Sequence, residues 1–327
     1  MKKNIALVTG GFSGEAVISY KSAVTIDNNL DRELFNVYRI DINPEGWFYD
    51  SGKGRTLVNK NDFSIEAEGK KINFDAVFIG MHGSPGEDGK LQGYFDTLGI
   101  PYTGCDAATS AITFNKRYAV AVAGMAGIPV AKSVLLISGE FNSPDEIVNN
   151  LNFPVFVKPN NGGSSIGMSK VERSSDELGV AIEKAFREDQ QVLVEEMIKG
   201  REFTVGVFRS EKKEIVLPLT EVRADDDKAF FDFEAKYQGK STETTPAEVD
   251  EDIAEQVREM AQKVYRTFNC RGVVRIDFIY NEKDKKPYML EVNTIPGQSE
   301  ASIIPQQVRA LGWTLKEFYT KLVNEVL

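Results

Sequence analysis

The chain has 327 residues, with 42% apolar and 27% charged side chains. That balance excludes a disordered or collagen-like polymer and a disulfide-stapled miniprotein, and at about 150 residues per domain it leaves room for two or three domains. The 39 lysines and arginines against 49 aspartates and glutamates give a formal charge of −10, so the surface as a whole repels nucleic acid and anionic membrane, and a small-molecule partner is expected.

In chain order, the apolar run at 5–8 is too short for a signal segment and is predicted as a strand. It leads into Gly10-Gly11, a helix over about 15–30 and a strand over 36–42, a βαβ unit that begins an open parallel sheet. A buried strand is predicted at 75–79, followed by the glycine-dense HGSPGEDGKLQG at 82–93, where a ligand-facing loop belongs. Helices are predicted near 91–98 and 107–125. The apolar stretch 119–131 is broken by Gly124, Gly127 and Pro129, so no membrane span is expected. A second sheet should begin with 154–158 and return with 191–196. Beyond it come a strand at 202–208, an acidic irregular stretch at 225–249 and a helix from about 250, in which Ile253, Val257, Met260, Ala261, Val264 and Phe268 share one face. Strands at 273–280 and 288–293 flank a charged turn and read as a hairpin. The expected division is 1–106, 107–198 and 199–327.

Two cysteines, Cys105 and Cys270, and one histidine, His82, are too few for a disulfide framework, a Cys/His metal site or a triad with a spare imidazole. Chemistry therefore has to run on carboxylates, lysines and arginines, in a reducing, cytoplasmic setting. The hairpin is the most informative place. Strand alternation puts Arg275 and Asp277 on one face against Val274, Ile276 and Phe278, and Glu291 and Asn293 on one face against Leu290 and Val292. Asp277, Glu291 and Asn293 together offer three hard oxygen donors suited to Mg²⁺ completed by substrate phosphates. A solvent-facing sheet with an Arg275–carboxylate salt bridge fits the same pattern. The following Asn293-Thr294-Ile295-Pro296-Gly297 is a rigid turn that can aim the Gly297 N–H at a reaction centre.

The loop after Lys158, from Pro159 to Gly167, carries three glycines and the hydroxyls of Ser164 and Ser165. It can offer backbone N–H groups and a cation to polyphosphate oxygens, although it lacks the P-loop spacing and also fits a flexible hairpin loop. Gly10-Gly11-Phe12-Ser13-Gly14-Glu15 has the wrong glycine spacing for a dinucleotide fingerprint. His82 fits either a structural hydrogen-bonder or a substrate contact. The run Asp225-Asp226-Asp227 reads as a solvated loop rather than a metal site.

Read in order, GGFSGEAVIS, MHGSPGEDGKLQGYFDTLGIPYTG at 81–104, SAITFNK at 110–116, FPVFVKPNNGGSSIGMSKV at 153–171, VLVEEMIKGREFTV at 192–205, FFDFEAKY at 230–237 and RIDF…LEVNTIPGQSEASIIP at 275–305 resemble the D-alanine–D-alanine ligase family of the ATP-grasp superfamily. The resemblance implies an α/β, three-domain ATP-grasp architecture with an N-terminal open parallel sheet domain. It implies ATP-dependent joining of two D-alanines through an acyl phosphate, for peptidoglycan precursors, by a cytoplasmic homodimer with no nucleic-acid or membrane partner. It further implies that Lys116, Lys158, Ser165 and Lys236 serve ATP, that Glu195, Glu196 and Glu202 lie by the adenine and ribose, and that Asp277, Glu291 and Asn293 bind two Mg²⁺ or Mn²⁺. Glu15 would hold the first D-alanine's ammonium in a hydrogen-bonded triad with Ser164 and Tyr237. Arg275 and the Gly297 N–H would stabilise the tetrahedral oxyanion, and His82 and Ser302 would meet substrate, Ser302 through the second carboxylate. Tyr237, where depsipeptide-forming branches often carry Phe, implies D-alanine rather than D-lactate as acceptor. Against the family pattern, Asn115 stands for the usual Asp, Asn160-Asn161-Gly162 for a more charged stretch, and Gln298 for the usual Met. The alternatives are a D-alanyl-D-lactate or D-alanyl-D-serine ligase, a nucleotide-binding dehydrogenase built on the first βαβ, and a catalytically silent ATP-binding module.

Overall fold

The computed structural model describes residues 1–52, 54–140, 147, 149–163, 166–172, 175–224 and 241–327. Strand β1 (Lys3–Gly10) carries Ile5, Ala6, Leu7 and Val8, all at 0% exposure. A run apolar on both faces needs cover on both, and it lies centrally, parallel to β2 (Phe35–Asn43) and to the later strand Ala76–Ile79. Helix α1 (Ala16–Asn29) crosses between β1 and β2 and turns Ser19, Ser22, Ala23 and Ile26 inward. The sheet is parallel only at its centre. Strands β3 (Gly46–Asp50) and β4 (Arg55–Leu57), which the sequence pattern does not announce, extend it antiparallel from β2. A small hairpin of β5 (Ile65–Ala67) and β6 (Lys70–Ile72) precedes β7 (Ala76–Ile79).

Helix α2 (Lys90–Leu98) ends at Gly99, whose φ of +67° is the left-handed cap that glycine adopts without strain. The single helix expected over 107–125 is two, α3 (Ala107–Phe114) and α4 (Lys116–Met125). Asn115 separates them: its backbone is extended and its side chain accepts the Tyr118 N–H, which makes it the N-cap of α4.

The second sheet starts earlier than expected, with β8 (Ser133–Ile137). It continues with β9 (Val155–Pro159), β10 (Ser169–Val171), helix α5 (Ser175–Phe186) and β11 (Gln191–Glu196), in the order β10-β9-β11-β8. The third sheet, ordered β15-β14-β12-β16-β17 with β13 beside β12, is antiparallel. Its strands are β12 (Arg201–Ser210), β13 (Lys213–Val216), β14 (Thr220–Ala224), β15 (Ser241–Thr244), β16 (Val274–Asn281) and β17 (Lys286–Asn293). Part of the stretch expected to be irregular is thus strand β15; residues 225–240, with the Asp225–Asp227 run, lie outside the described residues. Helix α6 (Glu251–Thr267) covers this sheet with Val257, Ala261, Val264 and Tyr265, and Ile253, Met260 and Phe268 pack on the same cluster as expected. Helices α7 (Ile303–Ala310) and α8 (Leu315–Asn324) close the chain, and their apolar faces join those of α1 and β1 in one core. That shared core fixes the third sheet against the N-terminal one. No helix among the described residues is long and apolar enough to cross a membrane.

Candidate active site

The hairpin register sets Asp277 directly opposite Glu291 and Arg275 opposite Asn293. Asp277 is 6% exposed, yet its carboxylate is fully occupied. It accepts from Thr204 Oγ1 at 2.9 Å, from Arg275 Nε at 3.0 Å and Nη2 at 2.8 Å, and from Asn293 Nδ2 at 3.2 Å. The salt bridge and the convergent oxygen cluster, alternatives in the sequence, therefore coexist. Alternation fails at one position. A bulge between Asp277 and Phe278 pairs Phe278 with Met289, so Met289 fills the core and Leu290 joins Glu291 along the cavity wall instead of opposing it. Among the described residues no three His, Cys, Asp or Glu side chains converge. Two opposed carboxylates and an amide that can turn its oxygen inward nevertheless form a donor set for a hard divalent cation whose remaining ligands come from phosphate or water.

The turn beyond β17 brings Gly297 into a cavity of about 330 Å³. A Cβ on Gly297 would lie 2.9 Å from Ser302 Oγ, so a side chain here would displace the Ser302 hydroxyl. Ser302 is the N-cap of α7 and shares a hydrogen bond of 2.7 Å with Ser299 rather than capping the helix through its side chain. The N-terminus of this helix, the end that favours an anion, lines the cavity through Ser302, Ile303 and Ile304.

Three acidic or imidazole groups from the N-terminal part of the chain line the same cavity. Glu15 is bracketed by glycines, since a Cβ on Gly83 or on Gly163 would come within 2.6 Å of one of its carboxylate oxygens. His82 is 7% exposed, and both ring nitrogens meet protein, Nδ1 at 2.8 Å from the Ile295 carbonyl and Nε2 at 2.9 Å from Ser22 Oγ. Burial holds its pKa down at about 4, so the imidazole is neutral, with Nδ1–H donating to Ile295 and Nε2 accepting from Ser22. Glu87 accepts the Gly83 N–H at 2.7 Å. Burial, reinforced by the charge of Glu15, pushes its pKa up to about 8, so it carries a proton at neutral pH.

A second cavity of about 510 Å³ lies between β9, β11 and the third sheet. Lys158 and Glu195 form a part-buried ion pair across β9 and β11 at 2.8 Å, and Glu196 receives the N–H and amide of Asn152. Lys116 donates to the Gly162 carbonyl at 2.6 Å. Asn160 is fully buried and docks the start of the glycine loop onto α4, its carbonyl and side-chain oxygen taking the N–H groups of Lys116 and Arg117. The two cavities share the wall formed by Lys116, Gly162, Gly163, Glu202, Asp277 and Glu291. Ser164, Ser165, Lys236 and Tyr237 lie outside the described residues.

Residues 4–105 match the family description "D-ala D-ala ligase N-terminus", and residues 122–324 match "D-ala D-ala ligase C-terminus". The D-alanine–D-alanine ligase of Phocaeicola vulgatus is 43% identical over 325 residues and that of Flavobacterium johnsoniae 44% over 323, with 99% and 98% of both chains covered, respectively. The chain belongs to the D-alanine–D-alanine ligase family. Among solved structures, the VanG D-Ala:D-Ser ligase from Enterococcus faecalis superposes with a TM-score of 0.89 at 32% identity, covering 100% of both chains. D-alanyl-alanine synthetase A from Vibrio cholerae does so with 0.89 at 31%, over 99% of this chain and 98% of that one. The fold of this ligase is accordingly the α/β ATP-grasp architecture with an N-terminal sheet that is parallel at its centre.

In this ligase the structure brings Glu15, His82, Lys116, Glu202, Arg275, Asp277, Glu291, Asn293, Gly297 and Ser302 to one cavity, and Lys158, Glu195 and Glu196 to its neighbour. Sequence reasoning did not single out Glu87, Lys21 or Glu243, which also line the first cavity. The only signal for Glu87 was its place in the glycine-dense loop after β7. Lys21 and Glu243 sit on an ordinary helix and strand with no local mark.

Proposed function

We infer that this ligase joins two D-alanines into D-alanyl-D-alanine, with ATP consumed and an acyl phosphate as intermediate. The observation that carries the reading is the common wall of the two cavities, where a phosphoryl group held in one can reach a carboxylate held in the other. A carboxylate is a poor electrophile, and its phosphorylation creates the leaving group that the amine then displaces.

Glu15 holds the ammonium of the first D-alanine, with Ser164 and Tyr237 completing its hydrogen-bonded triad. Lys116 and Lys158 neutralise the phosphates, Ser165 and Lys236 contact them, and Glu195, Glu196 and Glu202 lie by adenine and ribose. Asp277, Glu291 and Asn293 would hold two Mg²⁺ or Mn²⁺, which when bound supply charge neutralisation at the transferring phosphoryl group. Ser302, at the start of α7, receives the second carboxylate, and the second amine attacks the acyl phosphate. Arg275 and the Gly297 N–H then stabilise the tetrahedral oxyanion, a role in which one preorganised donor is worth about 3–4 kcal/mol. His82, with both nitrogens engaged, shapes the cavity as a neutral wall. The three-part division at 106 and 198, a homodimer and a cytoplasmic setting complete the proposal.

Incubation with ATP, Mg²⁺ and D-alanine should release phosphate and dipeptide in equal amounts, with L-alanine inactive and D-lactate and D-serine poor acceptors. Phosphate without dipeptide, or preference for D-serine or D-lactate at neutral pH, overturns the assignment.

A further inference from the structure

Gln298 stands where the family pattern expects methionine, and it is buried, with 3% exposure. A buried primary amide is costly unless its donors and acceptor are met. Here the NH₂ group and the oxygen each find a partner. Its Nε2 donates to the Pro296 carbonyl at 3.2 Å, and its Oε1 accepts from the hydroxyl of fully buried Tyr319 at 3.1 Å. The orientation is unambiguous, because the Pro296 carbonyl can only accept and so must face the NH₂ group. The main-chain N–H of Gln298 donates to Ser22 Oγ at 3.1 Å, the same hydroxyl that meets His82 Nε2.

The carbonyl that Gln298 grips and the N–H of Gly297 belong to one peptide group. In a planar trans peptide the two point in opposite directions, so holding the oxygen aims the N–H. A hydrogen bond accepted by the oxygen also polarises the N–H on the other side, strengthening it as a donor. No protein acceptor among the described residues takes that N–H, and Gly297 lines the substrate cavity.

We propose that Gln298, anchored by Tyr319, is a positioning residue that orients and polarises the Pro296–Gly297 peptide as oxyanion donor for amine attack. The inference rests on the oxyanion role given to Gly297 above. It predicts an effect confined to the second half of the reaction, since phosphorylation of the first carboxylate develops no tetrahedral carbon there.

The test compares wild type with Gln298→Met, which keeps the volume and loses the amide, and with Tyr319→Phe, which leaves the amide but loosens it. Dipeptide turnover is measured beside positional isotope exchange in γ-labelled ATP with D-alanine, which reports reversible acyl phosphate formation. For Gln298→Met, kcat for dipeptide should fall about tenfold, the loss of one net hydrogen bond worth about 1.4 kcal/mol. Both D-alanine KM values should change less than threefold and the exchange rate should be retained. Tyr319→Phe should show the same split with a smaller loss, and it carries the test should Gln298→Met fail to fold. Exchange and turnover falling together in both variants, or full turnover in both, overturns the role of Gln298. A wild type that shows no exchange and no dipeptide overturns the underlying functional reading, and this inference with it.

Discussion

Lowering the pH should destabilise the protein through one imidazole. In the unfolded chain a histidine titrates near 6.5, whereas burial holds His82 at about 4. Above pH 6.5 both states are neutral there and the contribution is complete. Between 6.5 and 4 the unfolded state binds a proton that the folded state refuses, and stability falls by about 1.4 kcal/mol per pH unit. Below about 4 the loss saturates at about 3 kcal/mol, on the order of a quarter to a half of an ordinary folding free energy. His82 is the only histidine in the chain, so substitution isolates the effect. His82→Asn should be less stable than wild type at pH 7, where it loses contacts with Ser22 and Ile295. The gap should narrow by about 2 kcal/mol between pH 7 and 5 as the wild type alone pays for its neutral ring. Urea titrations of both proteins at half-unit pH intervals measure the gap directly. A gap that stays constant across this range would refute the claim that His82 is buried uncharged.

Glu87 has the opposite sign: its folded pKa of about 8 exceeds the ordinary 4.5, so its contribution is complete below pH 4.5 and lost as pH rises through 8. Glu87→Gln should therefore gain in Tm relative to wild type between pH 6 and pH 9, and a difference that does not move with pH contradicts a protonated Glu87. Glu291→Gln removes half of the carboxylate pair facing the shared wall of the cavities; turnover should be abolished with the circular dichroism melt unchanged, and near-normal phosphate release at ordinary Mg²⁺ would sink the metal assignment. Arg275→Ala should lower kcat by orders of magnitude with a smaller effect on ATP affinity, because a donor used mainly in the transition state appears in turnover more than in binding. Lost ATP binding with unchanged turnover at saturation would make Arg275 a nucleotide ligand instead.

Much of this architecture is written in local pattern. The doubly apolar run at 5–8 demanded a central strand, the one-sided repeat from Ile253 to Phe268 demanded a covering helix, and period-two alternation put Arg275 and Asp277 on one face before any partner strand was known. The ordered motifs carry the family to which the chain belongs. What local pattern could not hold are the features that need two distant segments at once. The bulge that turns Leu290 toward the cavity is a register relation between β16 and β17, invisible within either strand. Strand β3 sets Trp47 and Tyr49 against the core but carries aromatic Phe48 on its other face, and β4 is exposed throughout, so neither shows an apolar–polar alternation. The protonation of Glu87 depends on burial beside Glu15, far away in sequence, and Gln298 is satisfied only because α8 delivers Tyr319 to its side-chain oxygen and α1 delivers Ser22 to its main-chain N–H. Periodicity and motif spacing act between near neighbours along the chain, whereas desolvation and hydrogen-bond satisfaction depend on what folding packs around a group, and only the tertiary structure supplies that.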